Sequence, residues 1–585
     1  MHKGHDALLT KLTDWHTRAI EELRGSYDEA RDAYEYMRGN QLSDDIRAEL
    51  ESRGQPISWE NAYQEIDSKI EGLTLLARQE VKAVPRRTLD HKKTQMINDV
   101  LKSFRDSTEW ATNKKLSNRD LRLTGITTVE VKMKITDDDE VDAFGEPMRE
   151  LEYIYRPTLE MIFDPYSKRP DYSDARFATH SRLVLIEEVE HLVKNRLSSS
   201  YDGLVRLNRT YYKDSNKRVR FCLWVEGEVL QDIPSPFEKL DRFPFAIRKL
   251  YEGSPFKEFY GMYRSIRPLQ DKLNFIMLRI SNMLGSRRMI IESDAVEDIE
   301  EFVDENSKDD AVLVVRPNAL KNKKWADITS TNNIPALMQI AQDTRAKIKT
   351  IIGVNDELLG LATARLSGDA MEQRKEAGLA GLQNFLDVSG ELDKDKTEIA
   401  IPIVQEHFTA EQLIVMRDDF SGEPKETKIN AYHRTKDGRL IYEGDFGKRR
   451  PKRDSLIDTG RFSLFLTRSA VNRGATGERN RGWSEIMKVL QVTRPEAVPA
   501  ILPSMLRDID SPVAEEVQNI LAKLDEMAQA NQQGNQQQME AMQIELKSHV
   551  AKIAELESKA NLNNAKASEI AKDLNVNKGV EDVQK

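Results

Sequence analysis

Two apolar stripes of helical period constrain this chain more than any other feature. Leu269, Leu273, Ile276, Ile280 and Leu284 recur at steps of three and four and stop at Gly285-Ser286. Leu337, Ile340, Ala341, Ile348, Ile351 and Ile352 form a second stripe over Pro335–Ile352 that stops at Gly353. Residues 286–333, between them, keep no period. Within that interval Glu292–Asp310 holds ten acidic residues against Lys308, and Arg316, Lys321, Lys323 and Lys324 follow. The chain therefore has to fold as a pair of long amphipathic helices around a small, charge-divided unit.

The flanking sequence alternates between helical and strand periods, which predicts an α+β, mostly helical fold. Leu8, Leu12, Trp15, Leu23, Ala30, Tyr34 and Met37 predict one amphipathic helix over 4–38, ended by Gly39-Asn40. A helix over Ser43–Arg53 stops at Gly54-Gln55-Pro56, and a third follows Ser58 with Asn61 and Asp67 on its polar side. Val129, Val131 and Met133, then Leu151, Tyr153 and Tyr155, alternate as a hairpin with a long acidic loop. Further strands are expected at Arg182–Glu187, Val219–Val225, Phe243–Arg248, Leu413–Met416, Thr427–His433, Leu440–Glu443 and Phe462–Leu466. A third helical stretch runs from Gly368-Asp369 to about Phe408, with Gly378, Gly381 and Gly390 as expected bends, and another covers Trp483–Val492. After the Gln/Asn-rich Ala530–Gln538, Met539 to Leu574 shows a heptad pattern weakened by His549 and Asn563.

Composition excludes several classes. At 585 residues the chain should hold three or four folded units, by the rule of roughly 100–200 residues per domain. Its single cysteine, Cys222, permits no internal disulfide, thiolate zinc site or iron–sulfur cluster, and implies a reducing environment. No run is apolar enough to span a membrane, and Met-His-Lys-Gly-His-Asp at the start has no signal core. The phosphate-loop, His-Glu-x-x-His, Gly-x-Ser-x-Gly and Gly-x-Gly-x-x-Gly signatures are absent, so no enzyme, cofactor or metal site is expected. His2 and His5 read as terminal residues rather than ligands. Asp164, Asp171 and Asp174 are spaced so that carboxylates could hold Mg²⁺, but the prolines and serines around them favour an ordered loop. Lys448-Arg449-Arg450-Pro451-Lys452-Arg453 lacks interleaved aromatics, so it supports at most phosphate contact. The net charge of −10 argues against a DNA clamp and for a surface that passes DNA without holding it. Two readings compete with a conduit: a coiled-coil adaptor built on the C-terminal heptads, and a metal-dependent phosphoryl-transfer enzyme using Asp164–Asp174.

The order helix, acidic unit, helix, loop Val354–Ser367, then a long helix opening Gly368-Asp369-Ala370-Met371-Glu372-Gln373-Arg374 resembles the portal proteins of tailed bacteriophages. Gly54-Gln55-Pro56-Ile57-Ser58-Trp59-Glu60-Asn61 resembles the turn and helix near the start of portals of the short-tailed group. Asp164-Pro165-Tyr166-Ser167 and Asp174-Ala175-Arg176-Phe177 resemble that group's wing. The likeness covers most of 25–410; Pro268 within the first helix and the C-terminal portion depart from it. It implies a wing at 1–259, a first stem helix at 260–285, a clip at 286–333 and a second stem helix at 334–353. A tunnel loop at 354–367 and a spine helix at 368–410 follow, then β-rich wing at 411–482, crown helices at 483–530 and a helical tail or barrel at 531–585. It further implies a ring, a dodecamer at one capsid vertex, that passes double-stranded DNA during packaging and ejection. The expected partners are the terminase large subunit, head-to-tail adaptor proteins, and major capsid and scaffolding proteins, with assembly in the host cytoplasm and residence in the virion. Asn355, Asp356, Glu357 and Arg365 would touch DNA in the tunnel loop. Glu297, Asp298, Glu300, Glu301, Lys321, Lys323 and Lys324 would form the clip's docking face.

Overall fold

The computed structural model describes residues 2–468 apart from 53–60, 77–78, 86–90, 106–107, 136–146, 190–202, 226, 253–257, 286–288, 293, 307–313, 318, 320, 322–324, 328–332, 354–380, 418–423, 436–438, 444–449 and 454–461. One compact unit comprises Met1–Arg417 with Pro424–Val471; a second, Asp418–Glu423 with Asn472–Lys585, lies outside the described residues, as do the expected helix at Trp483–Val492 and the heptads.

The amphipathic start forms two helices, α1 (His2–Glu22) and α2 (Arg24–Arg38), not one. Hydrogen bonds continue through the junction, from the Leu23 N–H to Ala19 and from the Tyr27 N–H to Leu23. The break has a packing cause: Leu12 and Ala19 belong to one core and Leu23 and Ala30 to another. Gly39, in the left-handed region, ends α2 as expected, its N–H bonding back to the last turn. Helix α3 (Asp44–Ser52) is followed by α4 (Ala62–Leu76), which Asn61 caps by accepting the Gln64 N–H at 3.0 Å. Asp67 corrects the expectation of a polar face: it is buried against Arg122.

The other helices are α5 (His91–Arg105), α6 (Thr108–Leu123), α7 (Ile186–Val189), α8 (Tyr263–Gly285), α9 (Ile299–Asn306), α10 (Ile334–Ile352) and α11 (Gln383–His407). Strands β1 (Gln79–Pro85), β2 (Ile126–Ile135), β3 (Arg149–Arg156), β4 (Met161–Phe163), β5 (Phe177–Leu185), β6 (Leu204–Lys213), β7 (Val219–Val225), β8 (Glu228–Pro234) and β9 (Phe245–Lys249) build two antiparallel sheets, in the orders β3-β2-β9 and β4-β5-β6-β7-β8. The hairpin expected from alternation is β2–β3, with Val131 opposite Tyr153. The strand expected over Arg182–Glu187 begins earlier and ends at Leu185, because Glu187 lies in α7.

The sheets face each other through Ile126, Phe245 and Ile247 on one side and Phe163, Ala178 and Tyr211 on the other. Period two explains the layers: alternate residues of β5 and β6 turn away, so Phe177 and Tyr212 pack instead beneath α1 with Cys222 and Trp224. Val129, Val131, Leu151 and Tyr153, on the far face of the small sheet, pack with α5 and with Leu392, Ile399 and Ile403 of α11. At its other end α11 places Leu382, Phe385 and Leu386 in the core that holds α2, α4, α8 and α10. Helix α11 is thus shared by the two largest cores, as is α6, which places Trp110 in one and Leu121 and Leu123 in the other.

Short pairs complete the unit: β10 (Tyr251–Glu252) with β11 (Phe259–Tyr260), β12 (Met289–Ile291) with β13 (Trp325–Asp327), β14 (Gln412–Arg417) with β15 (Pro424–Ile429), and β16 (Tyr442–Glu443) with β17 (Arg450–Pro451). The last strand, β18 (Phe462–Arg468), returns to pair with β1. Asn98 seals the other edge of β1, exchanging hydrogen bonds with the Ala83 N–H and carbonyl at 2.8 and 2.9 Å.

Candidate assembly and conduit element

The two stripes read from the sequence meet face to face. Helix α8 buries Ile266, Leu273, Ile276 and Ile280, and α10 buries Ala341, Ile348 and Ile352, all in one core with Tyr63, Ile66 and Phe385. Each such aliphatic side chain contributes about 1.5–3 kcal/mol by leaving water. Pro268 sits inside α8, on its exposed side, and the helix continues beyond it to Gly285.

Rotation of α8 is set by polar groups that the apolar pattern did not reveal. Gln270 and Asn274, one turn apart and buried, interrupt the stripe. The Asn274 amide donates to Gln41 Oε1 at 2.8 Å, Gln270 donates to Asn274 Oδ1 at 3.1 Å, and Gln270 Oε1 accepts the Tyr63 N–H at 3.3 Å. Turning α8 about its axis would strand these amides in the core, at about 1–3 kcal/mol for each unsatisfied group. Two amides spaced four apart inside an apolar stripe are a signal the sequence already carried. Arg264 to Glu29 at 2.6 Å and Arg267 to Asp32 at 3.0 Å fasten the start of α8 to α2.

The hairpin is cationic although the whole chain carries −10. Helix α8 has Arg264, Arg267, Lys272 and Arg279 against Asp271, and α10 has Arg345, Lys347 and Lys349 against Asp343. The inference from net charge to a repelling bore therefore does not extend to this element. The exposed strip of α10 carries Gln339, Gln342, Ala346 and Thr350 with one Asp343 and one Lys347, and it is flanked by the exposed apolar side chains of Met338, Ile340 and Ile351.

Negative charge lies in the unit between the helices, built on the β12–β13 pair and α9. Among the described residues of this unit Ala295, Val296 and Ala319 are buried, and the Arg316 N–H donates to the Ala295 carbonyl at 3.0 Å. Asp298 caps α9, accepting the Glu300 and Glu301 N–H groups at 2.8 and 3.2 Å. Glu300 and Glu301 occupy the first turn, where the helix dipole favours carboxylates. Glu297, Glu300, Glu301 and Lys321 are exposed, and among the described residues none of them forms an ion pair. Lys323 and Lys324 lie outside the described residues, as do Asn355, Asp356, Glu357 and Arg365.

What the structure places is the base of the segment 354–380. Gly353 ends α10 with φ +80, and a Cβ there would lie 2.8 Å from Gly381 Cα; a Cβ on Gly381 would lie 2.5 Å from the Gly353 carbonyl oxygen. The backbones entering and leaving the segment cross in direct contact, which only glycine permits. Gly390, an expected bend, lies within α11, which runs unbroken from Gln383 to His407.

The Asp164–Asp174 carboxylates do not converge. Asp164 takes the Arg176 guanidinium at 2.6 and 2.8 Å, Asp174 accepts from Ser167 at 2.6 Å and the Lys168 N–H at 2.8 Å, and Asp171 accepts from Ser173 at 2.9 Å. Each carboxylate orders its own loop, and among the described residues no group of His, Cys, Asp and Glu is arranged to hold a metal ion. Among those residues, too, no helix is long and apolar enough to cross a membrane. In the basic cluster, Arg453 is committed to Tyr432 Oη at 2.9 Å and to the Thr409 carbonyl.

The chain matches the family of phage P22-like portal proteins over residues 13–214 and 201–563. It is 29% identical over 567 residues to the portal protein of Helicobacter pylori bacteriophage KHP30, covering 94% of this chain and 88% of that one. Similar solved structures include the neck of a native gene transfer agent particle computed with C12 symmetry, at 11% identity and a TM-score of 0.30 over 58% of this chain and 76% of that one. The virion of a native gene transfer agent particle matches at 10% identity and a TM-score of 0.25 over 59% and 90%. Scores this low carry no argument about the fold.

Proposed function

This chain belongs to the phage P22-like portal protein family, and on that membership we propose how it serves as a phage portal. It is a structural protein of the virion; the proposal concerns its assembly, its bore and its partners. The chain forms a ring, a dodecamer, at one capsid vertex, and double-stranded DNA passes through the centre during packaging and ejection. The single observation that carries this reading is the family match along nearly the whole chain, and the α8–α10 hairpin supports it. At about 1.5 Å per residue the 23 residues of α8 and 19 of α10 reach about 34 and 28 Å, long enough to line a channel through a protein shell.

In this reading α8 and α10 are the stem, the 286–333 unit is the clip, 354–367 is the tunnel loop and α11 is the spine. The balanced strip of α10 faces the bore, where a surface of little net charge neither grips nor repels phosphate strongly. The tunnel-loop residues Asn355, Asp356, Glu357 and Arg365 add transient contacts that repeat with each copy. The clip receives the terminase large subunit during packaging and head-to-tail adaptor proteins afterwards, while the wing meets the major capsid and scaffolding proteins. Assembly takes place in the host cytoplasm. ATP hydrolysis belongs to the motor, in keeping with a chain that lacks a phosphate loop.

Negative-stain imaging of the purified full-length chain tests the ring directly. Rings with a central hole are expected; monomers or solid particles at all concentrations would overturn it. Deleting Glu357–Ala364 should leave rings intact but damage packaging or genome retention, and normal packaging with normal retention would remove the loop from the mechanism.

A further inference from the structure

Between the two sheets the apolar core gives way to charge. Period two puts Thr128, Glu130 and Lys132 of β2 on the face that carries Ile126, and His180 and Arg182 of β5 on the face that carries Ala178. Arg209 of β6 stands opposite His180, and Arg156 of β3 opposite Thr128. Glu130 is fully buried and accepts from Arg156 at 2.8 Å and from Arg209 at 2.9 Å, so two guanidiniums already answer one carboxylate. Lys132 adds a third cation, its Nζ 3.8 Å from Glu130 and without a hydrogen bond among the described residues. Arg182, exposed and unpaired among those residues, is a fourth. Glu152, opposite Lys132, and Glu160, beside His180, are the other carboxylates here, which leaves four cations against three carboxylates. Further out Lys134 stands opposite Glu150 and adds no net charge.

His180 indicates what kind of anion this layer fits. It is 1% exposed, its Nε2 lies 2.9 Å from Glu160, and its Nδ1 is buried without a hydrogen-bond partner among the described residues. A carboxylate only accepts, so Nε2 carries the hydrogen and Nδ1 presents a lone pair. Burial, with Arg156, Arg209, Arg182 and Lys132 around it, lowers the imidazole to about 3 and keeps it neutral. A ligand here therefore has to bring negative charge to the cations and a hydrogen to Nδ1. Chloride, sulfate and a phosphodiester bring only charge, whereas a phosphate ion that keeps one hydrogen brings both. The Thr128 hydroxyl, fully buried and also unpaired among the described residues, is a further donor on the same face.

We propose that this charged layer between the sheets is a binding site for hydrogen phosphate. Lys132, Arg182 and the free edges of Arg156 and Arg209 take its charged oxygens, and His180 Nδ1 accepts its O–H. Charge-assisted bonds of this kind are stronger than neutral ones, and the neutral acceptor among cations is what separates phosphate from other oxyanions. The site belongs to one chain and is independent of ring assembly.

Isothermal titration of the full-length chain with sodium phosphate, at neutral pH and constant ionic strength, tests the site. One phosphate per chain is expected, with sulfate about tenfold weaker or more because it has no hydrogen for Nδ1. Lys132→Gln and Arg182→Gln should each weaken phosphate about tenfold. Neither side chain is hydrogen-bonded among the described residues, so both variants should keep the thermal midpoint of the phosphate-free chain. His180→Phe should bring phosphate down to the level of sulfate. No saturable binding, or binding that survives both exposed variants unchanged, would overturn the proposal. Equal affinity for sulfate would overturn the assignment to phosphate and free His180 of its role. A short DNA duplex should not displace the ion; displacement would give these cations to the nucleic-acid backbone instead.

Discussion

In the body of the molecule, the buried charged groups end on partners from their own chain. Buried Asp67 receives two hydrogen bonds from Arg122, buried Glu130 takes Arg156 at 2.6 Å and Arg209 at 2.9 Å, and Asp393 lies between Lys114 at 2.7 Å and Lys396 at 2.6 Å. In the end of α8 and the acidic unit, Lys272, Arg279, Glu300 and Lys321 find no such partner among the described residues, and the most exposed apolar side chains stand beside them. The contrast separates two kinds of surface. A buried charge must be paired at home, since desolvation without a partner costs several kcal/mol. An exposed charge can wait for a neighbour at almost no cost to the monomer. The body thus pairs its buried charges within the chain, while the charges named at the hairpin's end stand exposed.

The largest expected effect breaks a body pair. Burial alone would raise Asp393, but Lys114 and Lys396 bring its carboxyl down to about 2. Asp393→Asn strands two cations against α11 and should cost about 3–5 kcal/mol in denaturant unfolding of the main unit. A loss under about 0.5 kcal/mol would erase the distinction between the regions.

Acid provides the next test. Burial lowers His16 and His180 to about 3, with Arg206 adding to it at His16 and Arg156 and Arg209 at His180. Both folded values lie below the ordinary 6.5, so the stability these residues contribute is whole above pH 6.5 and drains as pH falls toward 3. The Glu160 carboxylate, 2.9 Å from His180 Nε2, opposes the effect there, so between pH 7 and pH 5 the main unit should lose about 2 kcal/mol, chiefly through His16. Asp120 acts in the opposite sense, because burial raises its carboxyl, even with Tyr34 and Tyr155 donating to it at 2.6 and 2.5 Å, and its protonation softens the loss. A melting temperature flat over that range would show that the histidines are not sealed in the body.

Gly381→Ala is a middle case, because it acts where the hairpin joins the body. The added methyl would press on the Gly353 carbonyl, so α10 and α11 must separate, at about 1–3 kcal/mol by thermal shift. An unchanged midpoint would mean that the crossing is not a fixed joint. The smallest effect belongs to the hairpin end: Glu300→Lys should move the monomer's stability by no more than about 0.5 kcal/mol. A larger loss would mean that the strip supports the fold rather than a contact.

Much of this architecture was legible in the sequence, and the failures have causes. The stripes of α8 and α10, their glycine stops and the β2–β3 hairpin follow from spacing, because a helix or strand repeats its buried face locally. The break at Leu23 was invisible because both halves share one period while serving different cores. Asp67 read as a solvated residue because its partner Arg122 lies 55 residues away. Among the candidate site residues, spacing marked the acidic strip but could not distinguish Asp298, which caps α9, from Glu300, whose carboxylate has no partner among the described residues.

By itself the sequence determined where the long helices run, where they stop and that an acidic unit separates them, since these depend on residues within a turn or two of each other. Only the tertiary structure decided which charges are spent. Lys114 meets Asp393 across 279 residues, and the Asn274 amide finds Gln41 across 233, distances over which no local period carries information. The same polar side chain is a buried keystone or an open contact according to what the fold brings against it, and that difference marks the exposed charges at the hairpin's end.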